Sequence, residues 1–275
     1  MTQKTAAELG IHMPPPSAYP ILTTIGLTFI PTGILVYTYS ANPSLGELMI
    51  WFGVFFIGFT LMGWAHQVIK DKNDAHTEAE VQQQQSDLTF VTKIMLVSEG
   101  AVFGALFAHY YYHKSFIESG ISVLYDSTIL RPTGILETSL PAIATMILML
   151  SSYTCHIAHH ALMHGNKAKT KTYLLVTIGL GLIFLGIQGH EWGYLNGLAE
   201  AFTVHTGMFG TSFYLMTGFH GAHVAIGIVL LFLVYWRLEL NHMDEKRHFS
   251  ILAASWYWHF VDIIWIGLFF TIYLI

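Results

Sequence analysis

The chain has 275 residues, 53% of them hydrophobic and only 11% charged, with a formal net charge of −5 at pH 7. Apolar residues run along its whole length, which excludes a water-soluble globular class and points to an all-α polytopic membrane protein with no nucleic-acid partner. A single cysteine, Cys155, excludes an intrachain disulfide and a cysteine-rich metal site, and reads as a small buried apolar residue.

About 20 consecutive apolar residues cross the hydrocarbon core. Seven stretches are expected to do so: 19–39, 48–69, 91–112, 140–160, 173–191, 209–236 and 249–275. Residues 1–18 have no basic segment leading into a short apolar core. The run Met13, Pro14, Pro15, Pro16 reads as an extended lead-in, so the first span is expected to insert uncleaved.

Trp64 near the end of span two and Lys70 just beyond it read as an interfacial anchor. Residues 71–90, with Gln82 to Gln85, read as a solvated polar loop. The expected organisation is 1–69 with two helices, a polar inner-side linker at 70–90, and a five-helix bundle over 91–275. Span three carries Ser98 and Glu99 in apolar surroundings, where a carboxyl group calls for a specific partner. That partner is expected to be Ser98 or a histidine. Residues 114–139, with Arg131 and Pro132, form the longest expected segment on the opposite side.

Span four ends in His156, His159 and His160. Span five contains Gly179, Gly181 and Gly186, and span six alternates Gly218, Gly221 and Gly227 with His220 and His223. Small residues beside imidazoles suit close helix approach with interhelical hydrogen bonds. Glu191 closes span five and is expected to pair with a histidine or anchor a surface loop. Arg237 follows the aromatic pair Tyr235 and Trp236. Span seven places His259 and Asp262 three residues apart on one helical face, where the carboxylate fixes the imidazole or both meet a neighbouring helix. Of the twelve basic residues, ten fall in segments on one side, with only Lys114 and Arg131 on the other. That bias puts the N-terminus inside and the C-terminus outside.

Sixteen histidines invite metal readings. A di-iron site built from His109 and His113, His156 to His160, and His220 and His223 would need ligands from opposite ends of the membrane to converge. A haem would need matched imidazoles, with His220 and His259 the best candidates. Hydrogen bonding between helices by His159, His160, His220, His223, His259 and Asp262 is the preferred reading, and a membrane di-iron hydroxylase or b-type cytochrome the alternative.

The string Trp256, Tyr257, Trp258, His259, Phe260, Val261, Asp262 resembles the last helix of subunit III of the haem-copper cytochrome c oxidases, whose signature reads Trp-Tyr-Trp-His-Phe-Val-Asp. Residues 209–224 resemble that family's Tyr-Gly-Ser-Thr-Phe-Phe-x-x-Thr-Gly-Phe-His-Gly-x-His-Val. Ala158, His159, His160, Ala161 and Leu162 resemble its Ala-His-His-Ser-Leu element. Arg131 to Gly134 resemble its Trp-Pro-Pro-Thr-Gly turn, and Ser98 with Glu99 its Ser-Glu pair. The order is the family's, and the first helix pair favours the cytochrome c oxidase form over the shorter quinol oxidase form.

The resemblance implies a non-catalytic accessory subunit of a proton-pumping terminal oxidase, in a bacterial plasma membrane or the mitochondrial inner membrane. No cofactor is expected in this chain. Haems and copper belong to partner subunits, with subunit I packed directly against it, subunit II in the same complex and cytochrome c as substrate of the whole. It also implies support of proton uptake and a lipid cleft between the first two helices and the other five. Glu99 corresponds to the family's carbodiimide-reactive carboxyl, Arg237 to an arginine after helix six, and Glu191 to a glutamate at the outer end of helix five. At the end of helix two the family has Trp-Trp-Arg-Asp-Val-x-Arg-Glu. Here His66 and Lys70 replace both arginines, so Trp64, His66 and Lys70 make a weaker phosphate site than a guanidinium fork would.

Overall fold

The computed structural model describes residues 17–40, 42–71, 78–118, 138–197, 202–204, 207–241, 243 and 248–274. Among these there is no strand. Seven α-helices follow in order: α1 (Tyr19–Tyr39), α2 (Pro43–Asp71), α3 (Glu78–Glu118), α4 (Ser139–Met163), α5 (Lys167–Asn196), α6 (Gly207–Glu239) and α7 (Phe249–Leu268). All are long and apolar enough to cross a membrane.

The boundaries differ from the expected ones mainly at polar ends. Helix α3 begins at Glu78, so Gln82 to Gln85, expected as solvated loop, are helical. Glutamine and glutamate are good helix formers, and an apolar helix extends readily into such a stretch. Lys167, Lys169 and Lys171, expected between spans, occupy the first turns of α5. The π-helical turn Phe269–Leu274, which no periodicity announces, continues α7.

The chain divides into two compact units, Met1–Val81 and Gln82–Ile275. The first is a hairpin of α1 and α2. Gly26 and Gly33 on α1 and Gly46 and Gly53 on α2 recur at seven residues, so glycine lines one seam of each helix. A side chain at Gly46 would meet the Gly33 carbonyl oxygen at 2.6 Å, so the backbones themselves are in contact. Near the start of α1, Thr23 Oγ1 donates to Thr60 Oγ1 at 3.2 Å and Ser17 Oγ to Gln67 Oε1 at 2.9 Å. Pro31 removes a donor inside α1, and the flanking Thr28 and Thr32 hydroxyls bond to the Ile25 and Thr28 carbonyls.

The second unit is built around α4–α7, with α4 packed on α5 and α7, and α6 on α5 and α7. A three-residue turn joins α4 to α5. Gly165 takes φ 73°, its N–H donates to Leu162 O at 2.9 Å, and that of Asn166 to Ala161 O at 2.9 Å. Asn166 Oδ1 then caps α5 by accepting from the Lys169 N–H at 3.0 Å.

Trp258 and Trp265 fill the centre and are almost wholly buried. Their indole N–H groups donate to Ser151 Oγ and Thr145 Oγ1, both at 3.0 Å, and Thr154 and Thr177 hydroxyls meet at 2.8 Å between α4 and α5. Helix α3 adds Phe103, buried against Phe219, His223 and Phe260. Close glycine approach occurs at Gly181 and Gly227, which flank Trp258, and at Gly218 against Trp192. Gly179, Gly186 and Gly221, expected to behave likewise, have no such neighbour within 4 Å among the described residues.

Candidate functional site

Helices α3 and α6 bring Glu99 to His223, with Oε2 3.2 Å from Nε2. The other nitrogen, His223 Nδ1, lies 2.8 Å from the Phe219 carbonyl oxygen, which only accepts, so Nδ1 carries a hydrogen. One proton is therefore shared between Glu99 and Nε2, as neutral acid and imidazole or as an ion pair. Tyr257 donates its hydroxyl to the His223 carbonyl at 3.3 Å, and Phe103 lies against the ring at 5.0 Å. Ser98, the other expected partner, bonds instead to the Met95 carbonyl.

This contact makes a direct test. Glu99→Gln retains a donor for Nε2, whereas Glu99→Leu strands it. We expect Glu99→Leu to cost about 1 kcal/mol in detergent-micelle unfolding, and Glu99→Gln clearly less. Equal losses would show that the hydrogen bond contributes nothing.

The other polar residues of α6 and α7 face different neighbours rather than one seam. His220, wholly buried, places Nε2 3.2 Å from the Val261 carbonyl and packs on Trp265 at 5.0 Å. Its Nδ1 is buried with no hydrogen-bond partner among the described residues. His259 Nδ1 meets Ser152 Oγ on α4 at 2.6 Å, so its fixed contact is to the neighbouring helix. Asp262 is buried, and neither carboxyl oxygen has a hydrogen-bond partner among the described residues.

Glu191 is also buried. Its Oε2 accepts from Gln188 Nε2 at 3.0 Å and from Tyr273 O–H at 2.8 Å, an amide and a phenol rather than the histidine that was one of its two expected roles. The π turn aids this, since it carries Tyr273 to Glu191 and Thr271 to Tyr111.

Arg237 is exposed and donates to Ser250 Oγ at 2.5 Å, while Lys171 pairs with Glu239 at 2.9 Å. Trp64 is exposed on α2; the side chains of His66 and Lys70, and Arg131 to Gly134, lie outside the described residues. His159 is half-buried. His160 is exposed and stacks within its own helix. Among the described residues, no three His, Cys, Asp or Glu side chains converge as metal ligands.

Hydroxyls supply contacts that the histidines overshadowed. Ser151, Ser152 and Thr154 were not singled out from the sequence, although three hydroxyls within four residues of an apolar span signal a helix contact.

Residues 10–275 match the family model for cytochrome c oxidase subunit III. The chain belongs to the cytochrome c oxidase subunit III family. Among curated relatives, cytochrome c oxidase subunit 3 of Marchantia polymorpha is 32% identical over 266 residues, 95% of each chain. That of Pylaiella littoralis is 33% identical over 99% of this chain and 96% of its own. That of Tachyglossus aculeatus aculeatus is 30% identical over 99% and 98%. The chain is thus a subunit of an oxidoreductase complex, its partners are the other oxidase subunits, and its seven helices fit an integral membrane protein of that family.

Proposed function

We propose that this chain stabilises the catalytic subunit I, sustains proton uptake by it and binds phospholipid, without redox chemistry of its own. The observation that carries the reading is the match to the subunit III family over nearly the whole chain. The haems and copper belong to partner subunits, subunit II lies in the same complex, and cytochrome c is the substrate of the whole. The membrane is a bacterial plasma membrane or the mitochondrial inner membrane, and the bias of ten basic residues out of twelve supports an inside N-terminus.

Proton support draws on Glu99 and His223, where a shared proton sits in a contact that leaves the carboxyl side chain 32% accessible. Lipid binding draws on Arg237, an exposed guanidinium beside Ser250 and next to Trp236, a combination suited to a phosphodiester at the interface. Trp64, with His66 and Lys70, is a second candidate anchor. Buried His220, Asp262 and Glu191, with His223, His259 and His159, act in helix packing, whereas exposed His160 stacks only within α4.

Depleting the subunit from the purified oxidase tests the reading. Haem spectra and the initial rate of cytochrome c oxidation should stay intact, because no electron-transfer ligand is lost. Oxygen consumption should then fall over many turnovers, and lipid alone should not restore it. Loss of a haem band on depletion would contradict the accessory role.

A further inference from the structure

The C-terminal end of α4 carries His156, His160 and His164, one helical turn apart and all exposed. The rings of His160 and His164 stack with centroids 4.2 Å apart, and that of His156 is 6.4 Å from His160. His164 Nδ1 lies 2.9 Å from the His160 carbonyl oxygen, so it carries the hydrogen and Nε2 keeps its lone pair. A ring N–H held by a backbone carbonyl is the arrangement that orients an imidazole for metal ligation.

Two further features favour a cation here. His164 is the C-cap of α4, at the negative end of the helix dipole. The neighbouring lysines are drawn elsewhere: Lys167 to Asn241 Oδ1, Lys169 over the Tyr173 ring and Lys171 to Glu239. The turn through Gly165 and Asn166 pins the end of the helix.

We propose that His160 and His164 form an open, two-imidazole site for a divalent transition-metal ion of the zinc or nickel class, completed by water. Imidazoles at i and i+4 lie on one helical face, and metal–nitrogen bonds of about 2.0–2.1 Å are reached from the stacked pair by ring rotation. The site takes a metal ion from solution and has no part in the oxidase chemistry.

Equilibrium dialysis of the assembled oxidase against radioactive nickel tests this without interference from haem or copper. Wild type should hold one equivalent that His160→Asn and His164→Asn each bind roughly tenfold more weakly or worse. Undiminished nickel binding by either α4 variant would overturn the proposal. A second measurement needs no variant: zinc should protect both His160 and His164 of the wild-type complex from diethylpyrocarbonate, read by peptide mass spectrometry. Protection of neither, or of only one, would overturn it equally.

Discussion

Trp258→Ala should lower the unfolding free energy of the chain in detergent micelles by about 3–5 kcal/mol, the range for emptying a wholly buried aromatic site. The indole lies where α4, α5, α6 and α7 meet. An added Cβ would approach its Cη2 within 2.7 Å from Gly181 and its Cε3 within 2.8 Å from Gly227, and its N–H is spent on Ser151. Removing it therefore leaves a cavity between two glycines with no side chains to fill it, and takes one donor from buried Ser151, whose own hydroxyl still donates to the Leu148 carbonyl at 2.6 Å. Trp236→Ala is the control, because Trp236 is 55% exposed and should change stability little. A Trp258 variant as stable as the Trp236 one would mean that the centre of the bundle lies elsewhere.

Gly46→Leu should open the α1–α2 hairpin. The atoms a leucine Cβ would strike are backbone, Tyr37 N and Gly33 O, and no rotamer change relieves that. The helices must separate or shift register, at a cost of about 3 kcal/mol or more. Gly58→Leu, on the same helix with no neighbour within 4 Å among the described residues, should be tolerated. Spin labels at exposed Tyr39 and Leu48 read the difference: the distance should lengthen and broaden in the Gly46→Leu variant and stay sharp in the Gly58→Leu variant. An unchanged distance in the first would rule out backbone contact as the basis of the hairpin.

The candidate site was legible in part. Glu99 draws attention in the sequence because a carboxyl in an apolar span needs a partner, and His223 because imidazoles among glycines need one as well. Their pairing across 124 positions could not be read, because it depends on how α3 leans on α6. Asp262 and His259 share a helical face by spacing, yet Ser152 on α4 takes the imidazole, and the carboxyl has no hydrogen-bond partner among the described residues. Spacing places side chains on a face, while the neighbour's register chooses between them.

By itself the sequence determined the membrane class, the number of spans, most of their cores and the family. Each follows from local quantities: hydrophobic length per crossing and contiguous motifs. Tertiary structure alone decided that Gln82 to Gln85 before span three are helical, that Gly181 and Gly227 rather than Gly179 and Gly186 meet Trp258, that a π turn delivers Tyr273 to Glu191, and that His160 stacks on His164. The physical reason is common to all. In a span that is apolar all round, periodicity does not say which face meets protein and which meets lipid; only the packing of one helix on the next does.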